Sequence, residues 1–164
     1  MKVSYHVIIA SAAALALVPV LGARSSLFAV SSVLIDVDHY LDYVYRNGFR
    51  DFSLRRAVEF NRVLNEKASG GPFVVLHIFH TVEFMGVLAA IAIIFKNPWF
   101  WAILWGVLLH IGLDLIYVYY RRVLFRRALS VIEYFIRYRM IKRRGKHLEM
   151  TYRSVLQTLF KEGV

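Results

Sequence analysis

The chain contains no cysteine, which excludes a disulfide framework, a thiolate zinc site and an iron–sulfur cluster. Any metal it holds must therefore be bound by His, Asp or Glu. It also lacks a serine or cysteine nucleophile constellation, a phosphate-binding P-loop and a dinucleotide fingerprint. No internal repeat and no low-complexity segment is present. Charge is scarce and one-sided: 20% of the 164 residues are charged, and 21 Lys and Arg stand against 11 Asp and Glu, a formal net charge of +10. What fills the space is apolar. Hydrophobic residues make up 59% of the chain and the mean hydropathy is +0.52, values of a membrane protein rather than a soluble domain.

Four apolar stretches are bounded by polar or turn residues: Val3 to Gly22, Ser25 to Tyr45, Pro72 to Phe95 and Pro98 to Tyr120. A bilayer span takes about 20 predominantly apolar residues, and in lipid only helices or closed barrels satisfy their own backbone polar groups. None of the four runs alternates with period two, so the expected fold is all-α: a four-transmembrane-helix bundle over residues 1–120. Within the polar segment 46–71, Phe52, Ala57, Phe60 and Leu64 recur at helical spacing, and a surface amphipathic helix is expected there, ending at Gly70-Gly71. Residues 121–164 form a basic, aromatic tail with Leu124, Leu129, Ile132, Phe135, Ile136 and Met140 among Arg pairs. An amphipathic cytoplasmic helix lying on the membrane is expected.

The basic residues decide the topology. Nineteen Lys and Arg fall before the first run, between the second and third, or after the fourth, and only Arg24 and Lys96 fall on the other side. The positive-inside rule then puts both termini in the cytoplasm, and an integral protein of the cytoplasmic (inner) membrane is expected. The same asymmetry explains the charge as attraction to anionic lipid headgroups, about 1 kcal/mol per basic residue near the surface, so no nucleic acid partner is expected. Lys2, the apolar core and Gly22-Ala23 also fit a secretory signal peptide, whose cleavage would remove His6; the first run is read here as a span.

Titratable residues at membrane depth are costly and mark function. The runs hold five of the six histidines and five of the eleven acids: His6, Asp36, Asp38, His39, Asp42, His77, His80, Glu83, His110 and Asp114. At the 1.5 Å helical rise, Asp36 to His39 lie about 9 to 14 Å from the cytoplasmic end of the second run. The polar residues of the other runs come to a similar level. Asp36 and His39, His77 and His80, and His110 and Asp114 are three or four apart, so each pair shares a helix face, and Glu83 continues the His80 stripe. Asp36 and Asp38 are two apart and cannot face one way in a regular helix, which predicts either a distorted turn or that one of the two stands behind the ligands. Asp42 lies near the interface beside Tyr43 and Arg46 and is read as a snorkelling or paired group. Trp99 and Trp101 read as an interfacial belt with Trp105 in packing, and Tyr117, Tyr119 and Tyr120 as the opposite belt. The runs contain no Lys or Arg to neutralise this set. Metal cations are the natural counter-charge, and nitrogen and oxygen donors of this kind suit zinc, with manganese or iron as alternatives.

The order His6, Asp36-Val37-Asp38-His39, a segment ending His80-Thr81, and His110-Ile111-Gly112-Leu113-Asp114 resembles the membrane-bound metal-dependent hydrolases, a group that includes bacterial inner-membrane proteins under DNA-damage control. The match covers roughly residues 1 to 120, and H-x-x-x-D is also similar to half of the zinc site of the phospholipase C and P1 nuclease group. The resemblance implies a metallohydrolase acting on a phosphoester or other ester of a lipid or membrane-proximal substrate. It carries over Asp36, Asp38, His39, His80, His110 and Asp114 as ligand positions. The chain departs from it at His77-Ile78-Phe79-His80-Thr81-Val82-Glu83, where the family's His-Arg-Gly-x-Thr-His-Ser element has an Arg. His6 and His77 complete the expected ligands, and Glu83 and Asp36 are the expected catalytic carboxylates, Glu83 as ligand or general base and Asp36 as bridging ligand or orienter. Two other classes use the same residues: a metal-binding or metal-transporting protein without chemistry, and a haem carrier with His77 or His80 and His110 as axial ligands. Apolar outer helix halves argue against a transport route, and the carboxylates beside each histidine argue against haem.

Overall fold

A computed structural model describes residues 3–67, 73–120, 127–145 and 148–161. The regular elements among the described residues are all helices, with no strand and one isolated bridge between Val75 and Arg127. The chain divides into two compact units, one formed by Met1–Asp36 with Ile78–Leu124 and the other by Val37–His77 with Phe125–Val164.

In the first unit, α1 runs Val3–Leu21 and α2 Arg24–Leu34; after a 3₁₀ turn at Ile78–His80 come α5, Val82–Phe95, and α6, Pro98–Tyr120. Gly22 ends α1 at φ +56°, a left-handed conformation that favours glycine. The Arg24 guanidinium returns to the Leu21 carbonyl at 2.8 Å. At 19 and 23 residues, α1 and α6 measure about 28 and 34 Å against a hydrocarbon core of about 30 Å. These two helices are long and apolar enough to cross a membrane.

The second and third apolar runs are not single helices. The run 25–45 breaks at Ile35-Asp36, where the Asp36 N–H bonds the Val33 carbonyl at 3.4 Å instead of the one four residues back. That break is a distorted turn, the first of the two readings of the Asp36 and Asp38 spacing. Beyond the break, α3 at Val37–Arg46 belongs to the second unit. In the run 72–95, residues 73–77 are non-helical and α5 starts only at Val82. Thr81 sets that start: its hydroxyl accepts the Phe84 N–H at 3.3 Å and donates to the Ile78 carbonyl at 2.8 Å, a side-chain N-cap. With 11 and 14 residues, α2 and α5 are about 16 and 21 Å long.

Helix α2 packs against both α1 and α6. Its approach to α6 depends on Gly106, where a Cβ would overlap the Phe28 carbonyl oxygen and the Ser31 hydroxyl. Ser31 ties the same crossing by donating to the Ile103 carbonyl at 3.1 Å. Small residues let helix backbones approach in this way. Trp105, expected in packing, is instead 54% exposed, because Gly106 and Val107 take the buried side of that turn.

The second unit adds α4, Leu54–Lys67, α7, Val131–Arg143, and α8, Leu148–Lys161. The amphipathic helix expected between 46 and 71 is α4: Ala57, Phe60 and Leu64 are buried, whereas Phe52 precedes the helix and is exposed. Its expected end at Gly70-Gly71 lies outside the described residues. The tail is two helices rather than one, and Leu148, Tyr152, Val155 and Leu159 of α8 are buried in a core shared with Tyr43, Phe60 and Val74. Those four recur at i, i+4, i+7 and i+11, a full core-facing stripe, so α8 is a core helix. Asp42 is paired rather than snorkelling: Arg46 lies 3.2 Å from it and 2.9 Å from Glu149, and its guanidinium lies 3.8 Å from the Tyr152 ring centre.

Two outcomes test this packing. Gly106→Ala is expected to destabilise the protein by about 1–3 kcal/mol through overpacking, whereas Gly112→Ala, whose Cβ would meet nothing within 4 Å, leaves the thermal midpoint in detergent unchanged. Burial pushes the Tyr152 hydroxyl above its ordinary range, so the unfolded chain ionises first as pH rises. Full stability holds below about pH 10 and is lost above it; a denaturant titration should show that loss reduced in Tyr152→Phe.

Candidate metal centre

The break after α2 is the first element of the site. In a continued helix the Asp36 N–H would take the Ser32 carbonyl; here it does not, and the Ser32 oxygen instead accepts a hydrogen bond from His110 Nδ1 at 2.6 Å. A carbonyl only accepts, so Nδ1 carries the proton, and toward a metal the ring would present its lone pair at Nε2. Backbone bonding thus fixes both the orientation and the tautomer of His110.

Around that nitrogen the first unit collects one donor from each of Asp36, His80, His110 and Asp114, all within 4.8 Å of one another. His110 Nε2 lies 3.3 Å from His80 Nε2 and 3.3 Å from Asp36 Oδ1. His80 Nε2 lies 3.5 Å from Asp36 Oδ1. Asp114 Oδ2 is 3.7 Å from His110 Nε2 and 3.9 Å from His80 Nε2. In a tetrahedral site with bonds of about 2.05 Å, neighbouring donor atoms are about 3.3 Å apart. Five donor separations of 3.3–3.9 Å therefore come within about 0.6 Å of the spacing that a four-coordinate ion such as zinc requires. Two imidazoles and two carboxylates are also the donor chemistry of zinc, manganese or non-haem iron. The residues present fit a divalent metal.

Position on the fold explains the convergence. His110 and Asp114 are four apart on α6 and share its face as expected, Asp36 ends the turn after α2, and His80 closes the 3₁₀ turn that Thr81 caps. His80, His110 and Asp114 are buried, and Asp36, at 16% side-chain exposure, is the most open of the four. His6 is not in this group. Its Nε2 lies 3.1 Å from Asp114 Oδ1, and its ring stacks on His110 with centroids 3.8 Å apart. The two oxygens of Asp114 are therefore divided, one toward the donor group and one toward His6, an outer contact that orients a ligand.

The second unit holds a smaller group, Asp38, His39 and His77, also within 4.8 Å. His77 Nδ1 and Asp38 Oδ1 are 3.9 Å apart and the His39 and His77 ring centres 3.8 Å. Asn61 on α4 donates to the His39 carbonyl at 3.3 Å. The expected pairing by helix face thus fails for Asp36 with His39 and for His77 with His80. Each pair is divided between the groups because the chain is not helical at 35–36 or at 73–77. Glu83, expected to continue the His80 stripe, stands in the first turn of α5 and belongs to neither group. Ser32 was not foreseen; a backbone acceptor leaves no signature in side-chain spacing, and its only sequence signal was the break implied by Asp36 and Asp38.

Elemental analysis of the detergent-purified protein checks the first group. Wild type is expected to hold a divalent ion, His110→Ala to lose it, and His77→Ala to keep it. Compared with family models, with curated proteins and with solved structures, the chain matches none, so the functional reading rests on its own residues.

Proposed function

We propose that the protein is a membrane-embedded metal-dependent hydrolase acting on a phosphoester or other ester of a lipid or membrane-proximal substrate. The observation that carries this reading is the convergence of Asp36, His80, His110 and Asp114 at tetrahedral donor spacing, beside helices long enough to cross a bilayer. An ion held there would supply Lewis-acid polarisation of a phosphoryl or acyl oxygen and would bring the pKa of a water molecule toward 7. The chain's own residues do the rest. His80 and His110 serve as neutral nitrogen donors, the latter held by the Ser32 carbonyl. Asp114 is braced by His6. A catalytic ion needs one position for water, so Asp36, the most open donor at 16% side-chain exposure, would be the ligand that yields its position to the attacking water, and its freed carboxylate would take that water's proton. Glu83 lies outside the donor group, so the base role falls to Asp36.

This reading includes a four-helix membrane domain in which α2 and α5 lie beside the two longer helices. Exposed Val87, Ile93, Ile94 and Phe95 on α5 favour lipid contact, and the nineteen-to-two division of basic residues favours cytoplasmic termini. It agrees with the membrane-bound metal-dependent hydrolases that the motifs resemble, and zinc is the favoured ion.

The test is hydrolysis of phospholipid and phosphate monoester substrates by metal-loaded protein in detergent. Asp114→Asn and His80→Ala are each expected to lower kcat/KM by about two to three orders of magnitude, the loss of several kcal/mol of transition-state stabilisation. If metal-loaded wild type hydrolyses no ester above the rate of His80→Ala, the site binds an ion without this chemistry.

A further inference from the structure

Helix α7 carries an apolar face that the second unit does not use. Its Ile141 is buried, and Tyr134 and Tyr138 pack on the core. On the opposite side Ile132, Phe135, Ile136 and Met140 are 68%, 55%, 55% and 48% exposed. Their spacing of three, one and four residues puts all four on one face of the helix. Arg139, Lys142, Arg143 and Arg144 lie in and just after the last turns and are also exposed, and among the described residues none of the four is in an ion pair. The one acid of the helix, Glu133, is engaged by Arg137 at 2.9 Å and by the Leu129 N–H at 2.8 Å. Both ends of the helix are defined, because the Ser130 hydroxyl accepts the Ile132 N–H at 3.1 Å and Gly145 closes it at φ +71°.

We propose that this face of α7 docks on an anionic lipid surface, with Ile132, Phe135, Ile136 and Met140 among the upper acyl chains and Arg139, Lys142, Arg143 and Arg144 on the phosphates. Charge complementarity selects that occupant. A second copy of the chain would bring four unpaired cations against four more, whereas anionic headgroups attract each by about 1 kcal/mol near the surface. Long basic side chains reach the headgroups while their stems lie along apolar neighbours. Arg139 and Arg143 fall on the same helical face as the apolar four, toward its C-terminal end, so one surface of the helix offers both acyl-chain and phosphate contacts. The proposal rests on α7 alone and is independent of the metal centre.

The absence of cysteine makes the test direct. Full-length Ile136→Cys carrying an environment-sensitive fluorophore is placed in nanodiscs of phosphatidylcholine, with or without phosphatidylglycerol, containing lipids spin-labelled in the upper acyl chain. Strong quenching is expected in the anionic discs, weaker quenching in phosphatidylcholine alone, and partial release by salt. Adding Arg139→Gln and Arg143→Gln should lower the docking equilibrium by about thirtyfold while leaving the helical circular dichroism unchanged, since both side chains are exposed. No acyl-chain quenching in anionic discs overturns the proposal. Quenching that is equal in neutral discs and unaffected by the two substitutions overturns the anionic surface as the occupant. Energy transfer between differently labelled copies, without lipid quenching, assigns the face to a protein interface instead.

Discussion

One hydrogen bond organises the candidate centre: His110 Nδ1 to the Ser32 carbonyl, 2.6 Å, between residues 78 apart in sequence. It exists because α2 stops at Leu34, leaving a carbonyl that an unbroken helix would have used. The same stop frees Asp36 from helical geometry and lets its carboxylate meet His110 Nε2. A buried imidazole with one nitrogen fixed by backbone has a single remaining lone pair to offer, in one direction. His80 and the two aspartates are arrayed around that direction.

The surrounding packing keeps those groups in register. Gly106 allows α2 to reach the α6 backbone one turn before His110, and Ser31 bonds across the same crossing. Because Ser31 and Ser32 are adjacent, the contact that sets the helix separation also sets the position of the carbonyl that holds His110. On the other side of the ring, His6 covers the imidazole face, with its Nε2 3.1 Å from the outer oxygen of Asp114. A shift of a few tenths of an ångström at the crossing would therefore reach the donor atoms, five of whose separations lie between 3.3 and 3.9 Å.

Much of this was legible in the sequence, at the level of which residues matter. Charged groups in apolar runs are costly enough that their presence alone singled out Asp36, His80, His110 and Asp114, and the i, i+4 spacing of His110 and Asp114 correctly put them on one face of α6. The two-residue spacing of Asp36 and Asp38 gave the distorted turn. Helical spacing failed where the backbone is not helical, at 35–36 and 73–77, so one expected polar core is distributed as two donor groups. Glu83 was misplaced for the same reason, since its stripe began in a 3₁₀ turn. The tail was legible in part: its apolar residues up to Met140 mark an apolar face, but the core stripe Leu148, Tyr152, Val155 and Leu159, together with Ile141, was not singled out. Periodicity shows that a face is apolar but not whether protein or lipid covers it.

The central claim is that His80, His110, Asp36 and Asp114 hold one divalent ion in a four-coordinate site of nitrogen and oxygen donors. X-ray absorption at the metal edge of the loaded, detergent-purified protein tests it most directly. The account predicts a first shell of four nitrogen or oxygen atoms at about 2.0–2.1 Å, with the outer scattering of two imidazoles, falling to one imidazole in any metal retained by His110→Ala. A six-coordinate shell of oxygen alone, or imidazole scattering unchanged by that substitution, would contradict it.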